Sequence, residues 1–222
     1  MLGDSHGLMW APAIDAAARD LKINVLFMTA DGTPVFFDPA KPDATRDGIF
    51  FSQRQWSEFN RARLDVIRRQ RPRIVLFGSS WRPDVTPEAL SLLREIKAQG
   101  SKVIFIEDAP DFAIGDKNAP SYMAYLGVSA DARGHAFTDR VDWAHADTER
   151  KAVDTLAASC VGVCDVVTVR DIYQGSGNRL LILTSATPTY IDDDHLSVAG
   201  AMLAKSRLEQ VLAAALQAES AQ

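Results

Sequence analysis

The sequence predicts an α/β domain whose parallel sheet is covered by helices on both faces. Strand-like apolar runs alternate with amphipathic helical stretches along most of the chain. Glycine, proline and aspartate clusters punctuate those runs, as turns require. The 222 residues suffice for one such domain with a substantial core, and they carry no repeat, low-complexity tract or linker.

The elements follow in order. A turn at Ser5 leads into a helix over 9–21, with Ile14, Ala17, Ala18 and Leu21 on one face. Residues 23–29 read as a strand, broken by Ala30-Asp31-Gly32-Thr33-Pro34. A long helix is expected over 53–69, then a buried strand over 73–77 ending in Gly78-Ser79-Ser80-Trp81. Residues 87–99 read as a helix stopped by Gly100, and 102–106 as the next strand. The stretch 111–147 is irregular, and a loop of that length inside a compact domain often carries function. A helix over 148–159, strands over 165–169 and 180–183, and an Ala/Leu-rich helix over 198–217 capped by Ser197 complete the pattern.

Composition narrows the function classes. The chain is 47% hydrophobic and 24% charged, with a net charge of −5, which argues against nucleic acid as a partner. No apolar run approaches the roughly 20 residues a membrane helix needs. Met1 runs straight into the Ser5 motif without the features of a signal peptide, which taken alone points to the cytoplasm. Cys160 and Cys164, the only two cysteines, read as buried thiols or, in an oxidising compartment, a local disulfide. No second ligand pair accompanies them, so zinc is not expected, and no cofactor is implied.

The chemistry lies at the two ends of the chain. In Gly3-Asp4-Ser5-His6-Gly7 a serine sits on a tight turn between a strand and a helix, the usual way to present a nucleophilic hydroxyl. Asp192-Asp193-Asp194-His195-Leu196-Ser197 supplies what such a serine needs, a carboxylate three residues before an imidazole. The expected triad is Ser5 as nucleophile, His195 as general base and acid, and Asp192 as the group that fixes its tautomer. The plainer alternatives are that Ser5 caps a helix and that the three aspartates form a solvated turn or a cation site. By spacing, Asp193 and Asp194 read as solvated or capping residues. His6, beside the nucleophile, is a candidate substrate contact.

With Ala199-Gly200-Ala201 following, these two motifs resemble the SGNH (GDSL-like) hydrolase superfamily. They are most similar to the SGNH domains of bacterial membrane acyltransferases that O-acetylate surface polysaccharides. Residues 74–81, ending in Trp81, the Asp108-Ala109-Pro110-Asp111-Phe112 loop and the Cys160/Cys164 pair fit that narrower group. The resemblance implies a three-layer α/β/α flavodoxin-like fold and a Ser-Asp-His triad. It also implies an oxyanion hole from the Ser5 amide, a glycine amide, for which Gly32 is the candidate, and an asparagine. Ser80-Trp81 stands where that asparagine is usual, making Ser80 a candidate donor and Trp81 a candidate substrate contact.

Only Met1 and Leu2 precede the motif, so the first strand is expected to be largely missing, with a looser turn at Ser5. One domain over 1–222 is expected, either whole or as the C-terminal part of a longer membrane acyltransferase that would place it in the periplasm. The expected activity is acyl transfer or ester hydrolysis on a carbohydrate or other acyl ester, with a membrane acyltransferase domain as partner. The rival readings are a non-catalytic carbohydrate-binding or interaction module and, more weakly, a flavodoxin-like nucleotide or receiver domain.

Overall fold

The computed structural model describes residues 1–33, 35–42, 51–82, 86–160 and 164–218; Pro34, expected to help break the second strand, lies outside them. The elements are β1 (Leu2–Gly3), α1 (Ser5–Leu8), α2 (Ala11–Leu21), β2 (Met28–Thr29), α3 (Gln53–Asp65), β3 (Ile74–Gly78), α4 (Pro87–Ala98) and β4 (Lys102–Ile106). They continue with α5 (Ala119–Tyr125), β5 (Ala136–Thr138), α6 (Trp143–Ala158), β6 (Cys164–Val167), α7 (Arg170–Tyr173) and β7 (Gln174–Gly175). The last are β8 (Arg179–Thr184), β9 (Thr187–Pro188), α8 (Val198–Met202) and α9 (Lys205–Ala218).

The expected parallel sheet is present, in the order β2-β1-β3-β4-β6. The central strands β3 and β4 read as apolar runs because both of their faces are buried. Along β3, Val75 and Phe77 enter one core and Leu76 the other; along β4, Val103 and Phe105 oppose Ile104 and Ile106. The first core adds Leu64 of α3, Leu92 and Ile96 of α4 and Val153 and Leu156 of α6. The second adds Ile14 and Ala17 of α2 and Leu208 and Leu212 of α9. This is a three-layer α/β/α arrangement.

β1 is only two residues long, yet it occupies an interior place, pairing Leu2 with Met28 and Phe77, and Gly3 with Thr29 and Gly78. Its brevity explains why the strand expected over 23–29 narrows to Met28–Thr29. Among the described residues β2 is at the sheet's edge, with β1 as its one neighbour.

Four further expectations are corrected. The helix expected over 9–21 starts at Ala11, because Pro12 has no N–H to give an earlier turn and opens α2 instead, and the separate short α1 precedes it over Ser5–Leu8. The irregular stretch contains α5, β5 and the start of α6. Asn118 and Asp142, whose side chains accept from the Ser121 and His145 amides, cap those two helices. The run at 180–183 is not in the parallel sheet: it is β8, antiparallel to β5, β7 and β9. Only Ser176–Asn178 separate β7 from β8, too few for the dozen or more residues of a parallel crossover. The C-terminal helix is broken at 203–204, where Leu203 and Ala204 donate to the carbonyls of Gly200 and Ala201. Ser197 caps α8 as expected, and Cys160 and Cys164 are joined in a disulfide.

Candidate active site

The first chemical motif sits where β1 hands over to α1, at the carboxyl edge of the sheet. Asp4, not Ser5, caps the helix. Its Oδ1 accepts from the amides of His6 (2.9 Å) and Gly7 (3.3 Å). Its Oδ2 accepts from the Ser79 hydroxyl (2.7 Å) and the Ser80 amide (3.3 Å). One carboxylate thus ties the turn to the end of β3, and Ser5 is spared from capping. Among the described residues the Ser5 hydroxyl makes no hydrogen bond, and the residue is partly exposed.

The turn is also fixed from below. A Cβ on Gly3 or Gly7 would stand 2.4 or 2.5 Å from the carbonyl oxygen of Gly78, so α1 can lie this close to β3 only with glycine at both positions. Arg63 of α3, fully buried, donates to the carbonyls of Gly3 (3.2 Å) and Met28 (3.3 Å). Its guanidinium lies 4.2 Å over the Phe59 ring. Burial pushes Arg63 down to about 9 despite the opposing charge of Asp4. The looser turn expected from so short a first strand is therefore not what the contacts describe.

The second motif folds as a tight loop closed by the Ile191 amide donating to the His195 carbonyl (2.9 Å). Asp192 Oδ1 accepts from the backbone amides of His195 (2.7 Å) and Asp194 (3.2 Å). Both Asp192 oxygens lie 3.1 Å from His195 Nδ1. Asp194, expected to be solvated or capping, comes closer still, with Oδ1 2.6 Å from the same nitrogen. Asp192 meets hydrogen-bond geometry, whereas Asp194 makes the shorter ionic contact. The loop turns back on itself, so residues two apart face one ring. Both carboxylates favour hydrogen on Nδ1 and a lone pair on Nε2. Nε2 is enclosed and has no hydrogen-bond partner among the described residues.

The two motifs meet. The Leu196 amide lies 3.5 Å from the Met9 sulfur, and the rings of His6 and His195 are 4.7 Å apart between centroids. His6 is not an open substrate contact: it is 8% exposed, with Nδ1 2.6 Å from Asp108 Oδ2 and Nε2 3.6 Å from Asp194 Oδ2. Contacts to both histidines hold Asp194 well below the usual carboxylate range, and Asp194 in turn raises His195. Beside this chain, the His145 ring nitrogen lies 2.8 Å from Asp111. Glu149 accepts from the Trp81 amide (2.9 Å). Burial, then the charges of Asp108 and Asp111, push Glu149 up to about 9; burial and Asp108 push Asp111 to about 6. His6, Asp194 and His195, like Asp111, His145 and Glu149, offer ligand-type atoms within 4.8 Å of one another. Each group contains close histidine–carboxylate contacts of its own.

The remaining expected residues are placed differently. Trp81 is a core residue, 3% exposed, its indole donating to the Ile106 carbonyl (2.9 Å) and its ring packed on Phe105. Ser80 has both donors engaged, the amide with Asp4 and the hydroxyl with Glu149 (3.4 Å). Gly32, with φ of 61°, lies exposed in the turn after β2. Asp4, Arg63, Asp108, Glu149 and Asp194 were not singled out as site residues by the sequence reading.

The family model for the SGNH domain fused to AT3 domains matches residues 1–210. The chain belongs to that family. It is an SGNH-type acyltransferase or esterase, and its chemistry is acyl transfer or hydrolysis. Among solved structures it is similar to the periplasmic domain of the lipopolysaccharide acetyltransferase of Salmonella ser. Paratyphi A. That match has a TM-score of 0.67 at 16% identity and covers 95% of this chain and 81% of that one. A proposed acylhydrolase from Bacteroides fragilis aligns with a TM-score of 0.46 at 12% identity, over 96% of this chain and 85% of that one. A search of curated proteins finds no match to this SGNH chain. Among the described residues no helix is long and apolar enough to cross a membrane.

Proposed function

We propose that this SGNH domain moves an acetyl group onto or off a cell-surface carbohydrate through Ser5, His195 and Asp192. The observation that carries the reading is the state of His195: Nδ1 is held by two carboxylates while Nε2 is enclosed and unbonded. That is the tautomer a general base needs. Nε2 removes the Ser5 proton as Oγ attacks the acyl carbonyl. It returns that proton to the departing oxygen, leaving an acyl ester on Ser5. In the second half Nε2 deprotonates the acceptor, water or a sugar hydroxyl, whose oxygen takes the acyl group, and the proton passes from Nε2 to the departing Ser5 Oγ. Asp192 orients the ring with help from Asp194, and the Ser5 amide at the first turn of α1 donates to the oxyanion.

Carbohydrate as acceptor and acetyl as cargo rest on the family's fusion to acyltransferase domains and on the acetyltransferase among the similar folds. The same observations support one domain over 1–222, an extracytoplasmic location, and a membrane acyltransferase domain, in this protein or a neighbouring one, as acyl supplier. A fluorophosphonate probe tests the catalytic reading. Labelling of the wild type that disappears in Ser5→Ala and His195→Ala supports it. Folded wild type that takes no label overturns it and favours a non-catalytic binding module.

A further inference from the structure

His6 and Asp108 have no part in the triad, yet they form the most deeply buried charge pair in the described site. Asp108 presents one carboxylate oxygen to Nδ1 of His6 at 2.6 Å, and its side chain is 1% exposed. On the other side of the ring, Asp194 presents Oδ2 to Nε2 at 3.6 Å. Both contacts are ionic: His6 Nδ1 and Asp108 Oδ2 have no hydrogen-bond partner among the described residues, and carboxylates on two sides of an imidazole favour its charged form. The ring packs against that of His195, with centroids 4.7 Å apart and planes tilted by 43°. Asp194 joins the two, with Oδ1 on His195 and Oδ2 on His6.

We propose that His6, held charged by Asp108, is a positioning residue that sets the basicity of His195 and takes a share of Asp194 away from it. This rests on the reading of His195 as the general base. Such a counterweight is needed because the loop puts two carboxylates on His195. Unopposed, they would favour the protonated ring, which cannot accept the Ser5 proton. A fixed neighbouring cation disfavours the second imidazolium and so assists proton return to the leaving group. Among the groups facing the pair, burial and then Asp4 raise Asp108, and His6 lowers it. Burial lowers His6, but Asp108, Asp194 and Asp4 outweigh it and push it up to about 12. His195 is raised by Asp194 and Asp192 and lowered by burial and by His6. The Glu149 carboxyl, pushed up to about 9 by burial and then by Asp108 and Asp111, is biased toward its neutral form.

The test is a pair of pH measurements on wild type, His6→Gln and Asp108→Asn. Ring-nitrogen NMR is expected to find His6 of the wild type doubly protonated at pH 8. It is also expected to show the His195 midpoint rising by about one unit or more in both variants. The acid limb of kcat/KM for an activated acetyl ester should move up with that midpoint. A packing role would lower the rate at every pH and leave the limb in place. A neutral His6 in the wild type overturns the proposal even if neither variant folds, as does a His195 midpoint that is unchanged or lower. Because the NMR midpoint does not depend on turnover, a shifted midpoint without any Ser5-dependent activity would refute the catalytic assignment and leave the coupling standing.

Discussion

The two ends of the chain meet at one site but are held there by different physics. Ser5 is positioned by backbone packing: Gly3 and Gly7 against Gly78, the Asp4 cap, and the Arg63 guanidinium on the Gly3 carbonyl. His195 is positioned by charge, with Asp192 and Asp194 on its Nδ1 and His6 against its face. The glycine packing is insensitive to pH and Arg63 is lowered only to about 9, whereas the charges around His195 act directly on its protonation. Damage near Ser5 should therefore appear as lost stability or lost rate at all pH values, and damage near His195 as a displaced pH profile.

The largest effects should come from removing the reacting groups. Ser5→Ala and His195→Ala are each expected to lower kcat by about 1,000-fold or more, with circular dichroism unchanged. Nearly full activity in either would break the comparison at its root. Next in size are the carboxylates, which should separate. Asp192→Asn removes the charge beside the ring and replaces one of the two oxygens at Nδ1 with a donor, and should lower kcat at every pH by about 100-fold or more. Asp194→Asn removes the group that raises His195 most, so the base becomes free at lower pH and the acid limb of kcat/KM shifts downward. That is opposite in sign to the shift expected for His6→Gln. An upward shift in Asp194→Asn would show that Asp194 does not act on His195 as its contact implies.

Gly7→Ala sharpens the steric half. The added methyl would meet a backbone carbonyl that has little room to move, and overpacking of this kind costs about 1–3 kcal/mol. Calorimetry should show a melting temperature lower by about 2–10 °C, with the acid limb of the pH profile unmoved. The mildest change is Glu149→Gln. Burial first, then Asp108 and Asp111, raise the Glu149 carboxyl from 4.5 to about 9, so the folded state binds its proton more tightly than the unfolded chain. The stability this contributes is fully present below pH 4.5 and is lost as pH rises toward 9. Melting scans across that range should decline less steeply in the variant. Some slope persists above pH 6.5, because His6 is also raised, to about 12.

The sequence reading found what depends on local pattern. The parallel core strands are continuous apolar runs, and the two chemical motifs are short enough to read directly. It missed what depends on distant contacts. Asp108 looks like any loop carboxylate until β4 carries it under His6, and Asp194 looks solvated until the loop closes. Gly78 reads as the end of a strand, and its close approach to Gly7 and Met1 is what explains it. Trp81 was assigned outward because of its position in a motif, whereas its indole finds the Ile106 carbonyl in the core. The antiparallel sheet around β8 was hidden because a short apolar run does not encode the direction of its neighbours.

The central claim, that Ser5 carries the acyl group, is best tested by trapping it. Wild type mixed with an activated acetyl ester, quenched in acid and digested should yield a single acetyl ester on the peptide containing Ser5, absent in Ser5→Ala. Turnover of the ester by folded protein with acetyl on another residue, or with no acyl-enzyme at Ser5 under conditions that slow deacylation, would contradict the account.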